Sequence, residues 1–201
     1  MRSNFVPKRI FIIIISLLCS FLYAFSQQGE AVDKVILKLR AELEKDITDK
    51  KSLKKISELL INSGDYNQTI RYALILDSVA QLTNDETAQM YSYIYLGQAM
   101  MMNGGERKSK YYIDKSLELA IKLSNDSALA SVYNGLGLYA SNVEMDYYRS
   151  INYFFQGIEA AKRSSHKRLY SILLCNISGI YYLKRDADGL KYALECYTLG
   201  H

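Results

Sequence analysis

A small residue inside an apolar stretch recurs about every forty residues, and a tyrosine follows each one about fifteen residues later. The small residues are Ser57, Gly97, Gly137 and Ser178. The tyrosines are Tyr72, Tyr112, Tyr153 and Tyr192. Both series keep the same period, although their members are chemically unrelated. A period of this length predicts a solenoid, in which each repeat is a helical hairpin stacked on the next.

The residues around these markers follow helical spacing. Apolar side chains lie four residues before and three after each small residue, so they share one helix face. The chain has a single proline, Pro7, which lies outside every repeat and favours an all-helical domain. A glycine in an exposed helix interior costs about 1 kcal/mol relative to alanine. Gly97 and Gly137 therefore indicate that the second helix of each hairpin approaches closely, with the tyrosine filling the neighbouring space.

The repeats resemble the tetratricopeptide repeat family. Leu96-Gly97 and Leu136-Gly137 match the family's Leu-Gly step in the first helix, and Gly64-Asp65-Tyr66 resembles its inter-helix turn. The resemblance covers residues 50–200 and implies a right-handed α-solenoid of antiparallel hairpins. Two features depart from the family pattern: the period is nearer 40 than the usual 34 or so, and no proline closes a repeat.

The sequence divides into a leader, a capping helix and four hairpins. Residues 27–49 contain a predicted amphipathic helix, about Ala31 to Asp46, whose mixed-charge outer face suits the end of a stack. The hairpins are expected at about 50–85, 86–125, 126–165 and 166–201. The last one lacks a polar C-terminal cap, which suggests two alternatives: the sequence is part of a longer gene product, or the second helix of this hairpin is an interface for self-association.

Residues 1–26 have the pattern of a secretory signal peptide. Arg2, Lys8 and Arg9 precede an apolar run shorter than a membrane span, and two small residues, Ala24 and Ser26, precede the expected cleavage site after Ser26. The protein is therefore expected to be exported to the periplasm or cell envelope. One alternative is an uncleaved membrane anchor, and another is a lipoprotein modified at Cys19, although Leu17-Leu18 stands where such signals have a small residue. Removal of the leader leaves 22 basic and 21 acidic residues. This even balance argues against a nucleic-acid ligand, which needs a clustered basic face.

Two cysteines remain after the leader, Cys175 and Cys196. The repeat register places Cys175 on the side of its helix opposite the face that meets Cys196. Free thiols that act as small packing residues are therefore expected.

The family resemblance implies that a peptide or protein partner binds in a concave groove lined by the first helices. In this chain, the positions that correspond to that face hold a mixed and mostly neutral set of side chains. They are Lys51, Lys54, Glu58, Tyr91, Ile94, Gln98, Met101, Asn134, Leu138, Cys175 and Tyr182, with Ser131 and Ile172 on the same face. The predicted function is a non-catalytic scaffold or adaptor. The alternative is the extracytoplasmic sensory region of a membrane-bound histidine kinase or helix-turn-helix regulator.

Catalytic and metal-binding patterns are missing from the sequence. His166 and His201 are the two histidines, and no HExxH, nucleophile elbow or phosphate-binding glycine loop occurs. The chain is therefore predicted not to be an enzyme and to need no cofactor or metal.

Overall fold

The chain forms a stack of α-helices in a computed structural model that describes residues 29–199. The first helix, α1, covers residues 29–45. The others are α2 (Lys50–Ser63), α3 (Tyr66–Leu82), α4 (Glu86–Met102), α5 (Glu106–Lys122), α6 (Asp126–Asn142), α7 (Tyr147–Arg163), α8 (Lys167–Leu183) and α9 (Gly189–Leu199). No strand occurs within residues 29–199. Successive helices pack against each other, which confirms the predicted all-α solenoid of helical hairpins.

The connections between α2 and α8 share one backbone design. One residue adopts the left-handed conformation about every twenty positions, and the next residue is the N-cap of the following helix. Arg185, after α8, is also left-handed, but α9 begins only at Gly189. The left-handed residues are Gly64, Asn84, Gly104, Ser124, Met145, Ser165 and Arg185. At most of these turns an N-cap side chain accepts a backbone hydrogen bond, as Asp65 does from the Gln68 N–H at 3.1 Å. This shared turn geometry repeats the same change of chain direction along the array.

Helix α1 covers the N-terminal end of the stack. Ile36, Leu39 and Leu43 are buried in one cluster with Leu53 and Leu60 of α2. The opposite face of α1 is mostly exposed. Burial of one apolar stripe removes from water a surface that the first hairpin would otherwise expose.

The mid-helix glycines mark close contacts inside the hairpins. A Cβ built on Gly97 would lie 2.7 Å from Cγ1 of Ile113 on α5. A Cβ on Gly137 would overlap the ring of Phe154 on α7, with Cζ 2.9 Å away and two other ring atoms nearer still. The close approach is confirmed, but the side chain over each glycine is the residue after the repeated tyrosine. Tyr112 instead packs beside it against Tyr93, with ring centroids 5.5 Å apart.

The first helices of the hairpins lie on the inside of the curve. Helix α2 contacts α4, α4 contacts α6, and α6 contacts α8. Across the described chain, no such contact joins α3 to α5, α5 to α7 or α7 to α9. Because neighbouring first helices approach each other more closely than second helices do, α2, α4, α6 and α8 form the concave side.

The prediction of free thiols is wrong, because Cys175 and Cys196 form a disulfide between α8 and α9. Their Cα atoms are 5.8 Å apart, within the range that a disulfide spans. The register equivalents of Cys175 in the inner repeats, Ile94 and Asn134, are 4% and 8% exposed. Cys175 is exposed, because no described hairpin packs beyond α9, and its side chain turns toward Cys196.

Within residues 29–199, no helix combines the length and the apolar character needed to cross a bilayer. The predicted signal peptide, residues 1–26, lies outside the described residues.

Candidate functional site

One cavity of about 210 Å³ runs along the concave side and is lined by side chains from all four first helices. Helix α2 contributes Lys54, Glu58, Ile61 and Asn62, and α4 contributes Tyr91, Ile94, Tyr95 and Gln98. Helix α6 contributes Ser127, Ser131 and Asn134, and the α8 region contributes His166, Arg168, Leu169 and Ile172. We call this surface the concave groove. Its lining mixes apolar side chains with amides, hydroxyls and a few charges.

An aromatic pair with a cation forms the wall of the groove between the first two hairpins. Nζ of Lys54 lies 3.2 Å from the centroid of the Tyr91 ring, and Tyr91 stacks on Tyr95 with centroids 6.5 Å apart. Burial raises the pKa of Tyr95, and the nearby Glu58 and Tyr91 raise it further. The Tyr95 hydroxyl therefore stays protonated and neutral at physiological pH.

An ion pair crosses the groove from the first hairpin to the last. Nη1 of Arg168 at the start of α8 lies 4.0 Å from Oε1 of Glu58 on α2. The Arg168 side chain is 59% exposed, so solvent screens the pair and its own contribution to stability is small. The pair brings two residues 110 positions apart in sequence to opposite walls of one narrow groove.

Polar contacts between neighbouring first helices continue along the groove floor. Nε2 of Gln98 donates to the backbone oxygen of Ser131 at 3.4 Å, and Nδ2 of Asn176 donates to Oδ1 of Asn134 at 2.8 Å. Asn134 is only 8% exposed, so its amide is fixed by packing as well as by this bond. Side chains held in this way give the groove a preformed polar lining.

The structure brings together six of the residues that the sequence selected for the groove. Lys54, Glu58, Tyr91, Ile94, Gln98 and Asn134 line it, as do Ser131 and Ile172.

The other selected residues lie elsewhere. Lys51 is exposed in the first turn of α2, and Met101 is buried at 8% exposure. Leu138 packs against the core around α7 and α8. Cys175 is in the disulfide, and Tyr182 is 81% exposed near the end of α8.

Sequence reasoning missed the end of the groove nearest the start of the first helices. Ser127 and Arg168 lie four residues before Ser131 and Ile172, one helical turn back on the same face. Extending the selected stripe by one turn toward the N-terminus of α6 and α8 would have found both. No comparable signal pointed to His166, which is the N-cap of α8.

The groove offers hydrogen-bond donors and acceptors to a ligand. Within the described part of the chain, no group of three or more histidine, cysteine or acidic side chains is placed to hold a metal ion. The groove offers two cationic side chains, several amides and hydroxyls, and apolar patches between them. These groups suit the binding of an extended chain with alternating polar and apolar contacts.

Comparison with known proteins supports the fold alone. No protein-family model matches the chain, and no curated protein does. Among solved structures it is similar to BtubC (BKLC) from P. vanneervenii, with a TM-score of 0.59 and 15% sequence identity. The match covers 86% of this chain and 72% of that chain. The chain is thus an all-α helical-repeat protein, and the likeness carries no statement about its partner.

Proposed function

We propose that this protein is a non-catalytic scaffold of tetratricopeptide type that holds an extended peptide segment of a partner protein in the concave groove. The observation that carries the proposal is the convergence of side chains from α2, α4, α6 and α8 on one cavity. A ligand in this cavity contacts several repeats at once, so its affinity depends on the curvature that positions them.

The chemistry of the lining supports a peptide rather than a polyanion. Lys54 and Arg168 are the basic groups on the groove, and Glu58 lies within 4.0 Å of Arg168. The amides of Gln98 and Asn134 are suited to hydrogen bonding with a peptide backbone. The apolar side chains between them, such as Ile172, accept non-polar side chains of the ligand.

We also propose that the protein acts in an oxidising, extracytoplasmic compartment. The disulfide between Cys175 and Cys196 supports this, because disulfides persist mainly outside the cytosol. The leader-like composition of residues 1–26 is a separate argument for the same location.

Selection of peptides from a random displayed library on the immobilised full chain tests the binding proposal. The affinity of a selected peptide should fall about tenfold or more in Arg168→Ala, because Arg168 lines the groove. Lys167→Ala is the matched control, since Lys167 is an exposed base one position earlier that does not line the groove. Equal affinity for the wild type and Arg168→Ala, or equal losses in both variants, would refute binding in the groove.

A further inference from the structure

We infer that the Asn103-Gly104 pair is a modification site, at which the folded protein converts Asn103 by spontaneous deamidation into aspartate and isoaspartate. The pair lies in the turn between α4 and α5, where Asn103 is the C-cap of α4. The reactants are the chain itself and water, so the reaction needs no enzyme. The inference is independent of peptide binding in the concave groove.

The reaction begins with attack of the Gly104 backbone nitrogen on Cγ of the Asn103 side chain. A bond forms between this nitrogen and Cγ, the bond from Cγ to Nδ2 breaks, and Nδ2 leaves as ammonia with the proton of the Gly104 N–H. The product is a five-membered succinimide ring. Water then opens the ring at one of its two carbonyls. One opening gives aspartate, and the other gives isoaspartate, whose main chain runs through Cβ and Cγ.

The turn leaves the attacking nitrogen accessible and weakly held. Asn103 and Gly104 are both exposed, and a Cβ built on Gly104 would have no neighbour within 4 Å. The Gly104 N–H donates to the Met101 oxygen at 3.4 Å, beyond the usual range of an N–H···O bond. Because glycine has no side chain, nothing on Gly104 itself shields the nitrogen from Cγ of Asn103.

Ring closure requires rotation about the Cα–C bond of Asn103, whose ψ is 16°, so that the Gly104 nitrogen turns toward Cγ. Gly104 and Gly105 follow directly, and they absorb this rotation because glycine tolerates most backbone angles. The Gly105 N–H donates to the Met100 oxygen at 2.7 Å. This bond slows the rotation but does not prevent it, because it is a single bond at an exposed turn.

The other Asn-Gly pair of the sequence, Asn134-Gly135, provides an internal comparison. It lies within α6, where Asn134 is 8% exposed and its Oδ1 accepts a hydrogen bond from Asn176 at 2.8 Å. The same rotation at Asn134 would break consecutive backbone hydrogen bonds of the helix, so ring closure there requires local unfolding. The fold thus exposes one pair to deamidation and protects the pair whose asparagine lines the concave groove.

Deamidation would weaken the second hairpin at its turn. Nδ2 of Asn103 donates to Oδ1 of Asn67 on α3 at 3.1 Å, and an ionised carboxylate cannot donate. The new negative charge would lie at the C-terminal end of α4, where the helix dipole disfavours it. Isoaspartate would also lengthen the main chain just before Gly105, the N-cap of α5. The modified protein is therefore expected to be less stable than the fresh protein.

Incubation of the full chain at mildly alkaline pH, followed by peptide mapping with mass spectrometry, tests this inference. Replacement of the side-chain NH₂ by OH raises the peptide mass, and an isoaspartyl methyltransferase labels the isoaspartate product. In the folded protein Asn103 should deamidate about tenfold or more faster than Asn134, because only Asn134 requires opening of a helix. In guanidinium chloride the two pairs should react at similar rates, which controls for their identical dipeptide sequence.

Asn103→Gln is the matched variant, since glutamine keeps the amide but would have to form a less favourable six-membered ring. Circular dichroism checks that the variant folds. The acidic species that accumulates on ion exchange and maps to residue 103 should be lost in this variant. Equal rates at Asn103 and Asn134 in the folded protein would overturn the inference, as would an Asn103 that stays intact in the folded protein while it reacts in the unfolded chain.

Discussion

Replacement of Gly137 by alanine tests the close helix contact that underlies each hairpin. The new Cβ would lie within 3 Å of three ring atoms of Phe154, whose side chain is fully buried. Overpacking of a filled core costs about 1–3 kcal/mol, and the overlap of several atoms places this site toward the upper end. Alanine also gains about 1 kcal/mol of helix propensity over glycine. We therefore expect Gly137→Ala to destabilise the protein by about 1–2 kcal/mol.

The assay is urea unfolding followed by circular dichroism, with thermal melting as a second measure. A loss of this size lowers the melting temperature by about 2–8 °C in a chain of about 200 residues. Gly179→Ala is the control, because Gly179 lies inside α8 and a Cβ there has no neighbour within 4 Å. This control should gain up to about 1 kcal/mol from helix propensity alone.

A double-mutant cycle separates the contact from other effects. Phe154→Ala alone should cost about 3–5 kcal/mol through loss of a buried ring. The Gly137→Ala change should then become neutral or favourable in the Phe154→Ala background, because the ring that it overlaps is gone. If Gly137→Ala is as stabilising as Gly179→Ala in the wild-type background, the close-approach argument is refuted.

Three further changes test the disulfide, the turns and an ion pair. Cys196→Ser should lower stability by about 3 kcal/mol, from the loop closure implied by a separation of 21 residues, and thermal melting with and without reductant measures the loss. Met145→Gly should stabilise by up to about 1 kcal/mol in urea unfolding, because Met145 has a φ of 56°, whereas Gly104→Ala at a φ of 78° should destabilise. The Lys50 ammonium beside Asp85 holds the pKa of that carboxyl below its ordinary value, so the stability it contributes is present above about pH 4 and is lost as the pH falls through the lowered pKa. Asp85→Asn should therefore be less stable near neutral pH and lose less stability between about pH 4 and pH 2, as a pH series of urea unfolding would show; parallel curves for the two proteins would contradict this.

Residues on the inner face of the first helices were largely predictable from sequence. Lys54, Tyr91 and Asn134 share one register position or its neighbouring turn, and helical periodicity alone places them on one side. The prediction of groove residues was less accurate at the two ends of this inner face. Arg168 was missed because its approach to Glu58 depends on how far the array curves over four hairpins.

Residues of one register position differ where their surroundings differ. Met101 and Tyr182 are repeat equivalents, yet Met101 is 8% exposed and Tyr182 is 81% exposed. The prediction that Cys175 and Cys196 are free thiols failed for the same reason. It placed Cys175 by analogy with repeats that have a neighbouring repeat on both sides. A position in the last hairpin has no such neighbour within the described residues.

The sequence by itself determined the helices, their pairing into hairpins and the positions that require small side chains. These features depend on contacts close in sequence, so a period of about forty residues and two recurring markers are sufficient to reveal them. Only the tertiary structure decided that Ile113 and Phe154 lie over the glycines, that Cys175 meets Cys196, and that Arg168 reaches Glu58. These contacts depend on side-chain direction and on the angle between successive hairpins, which the repeat period does not specify.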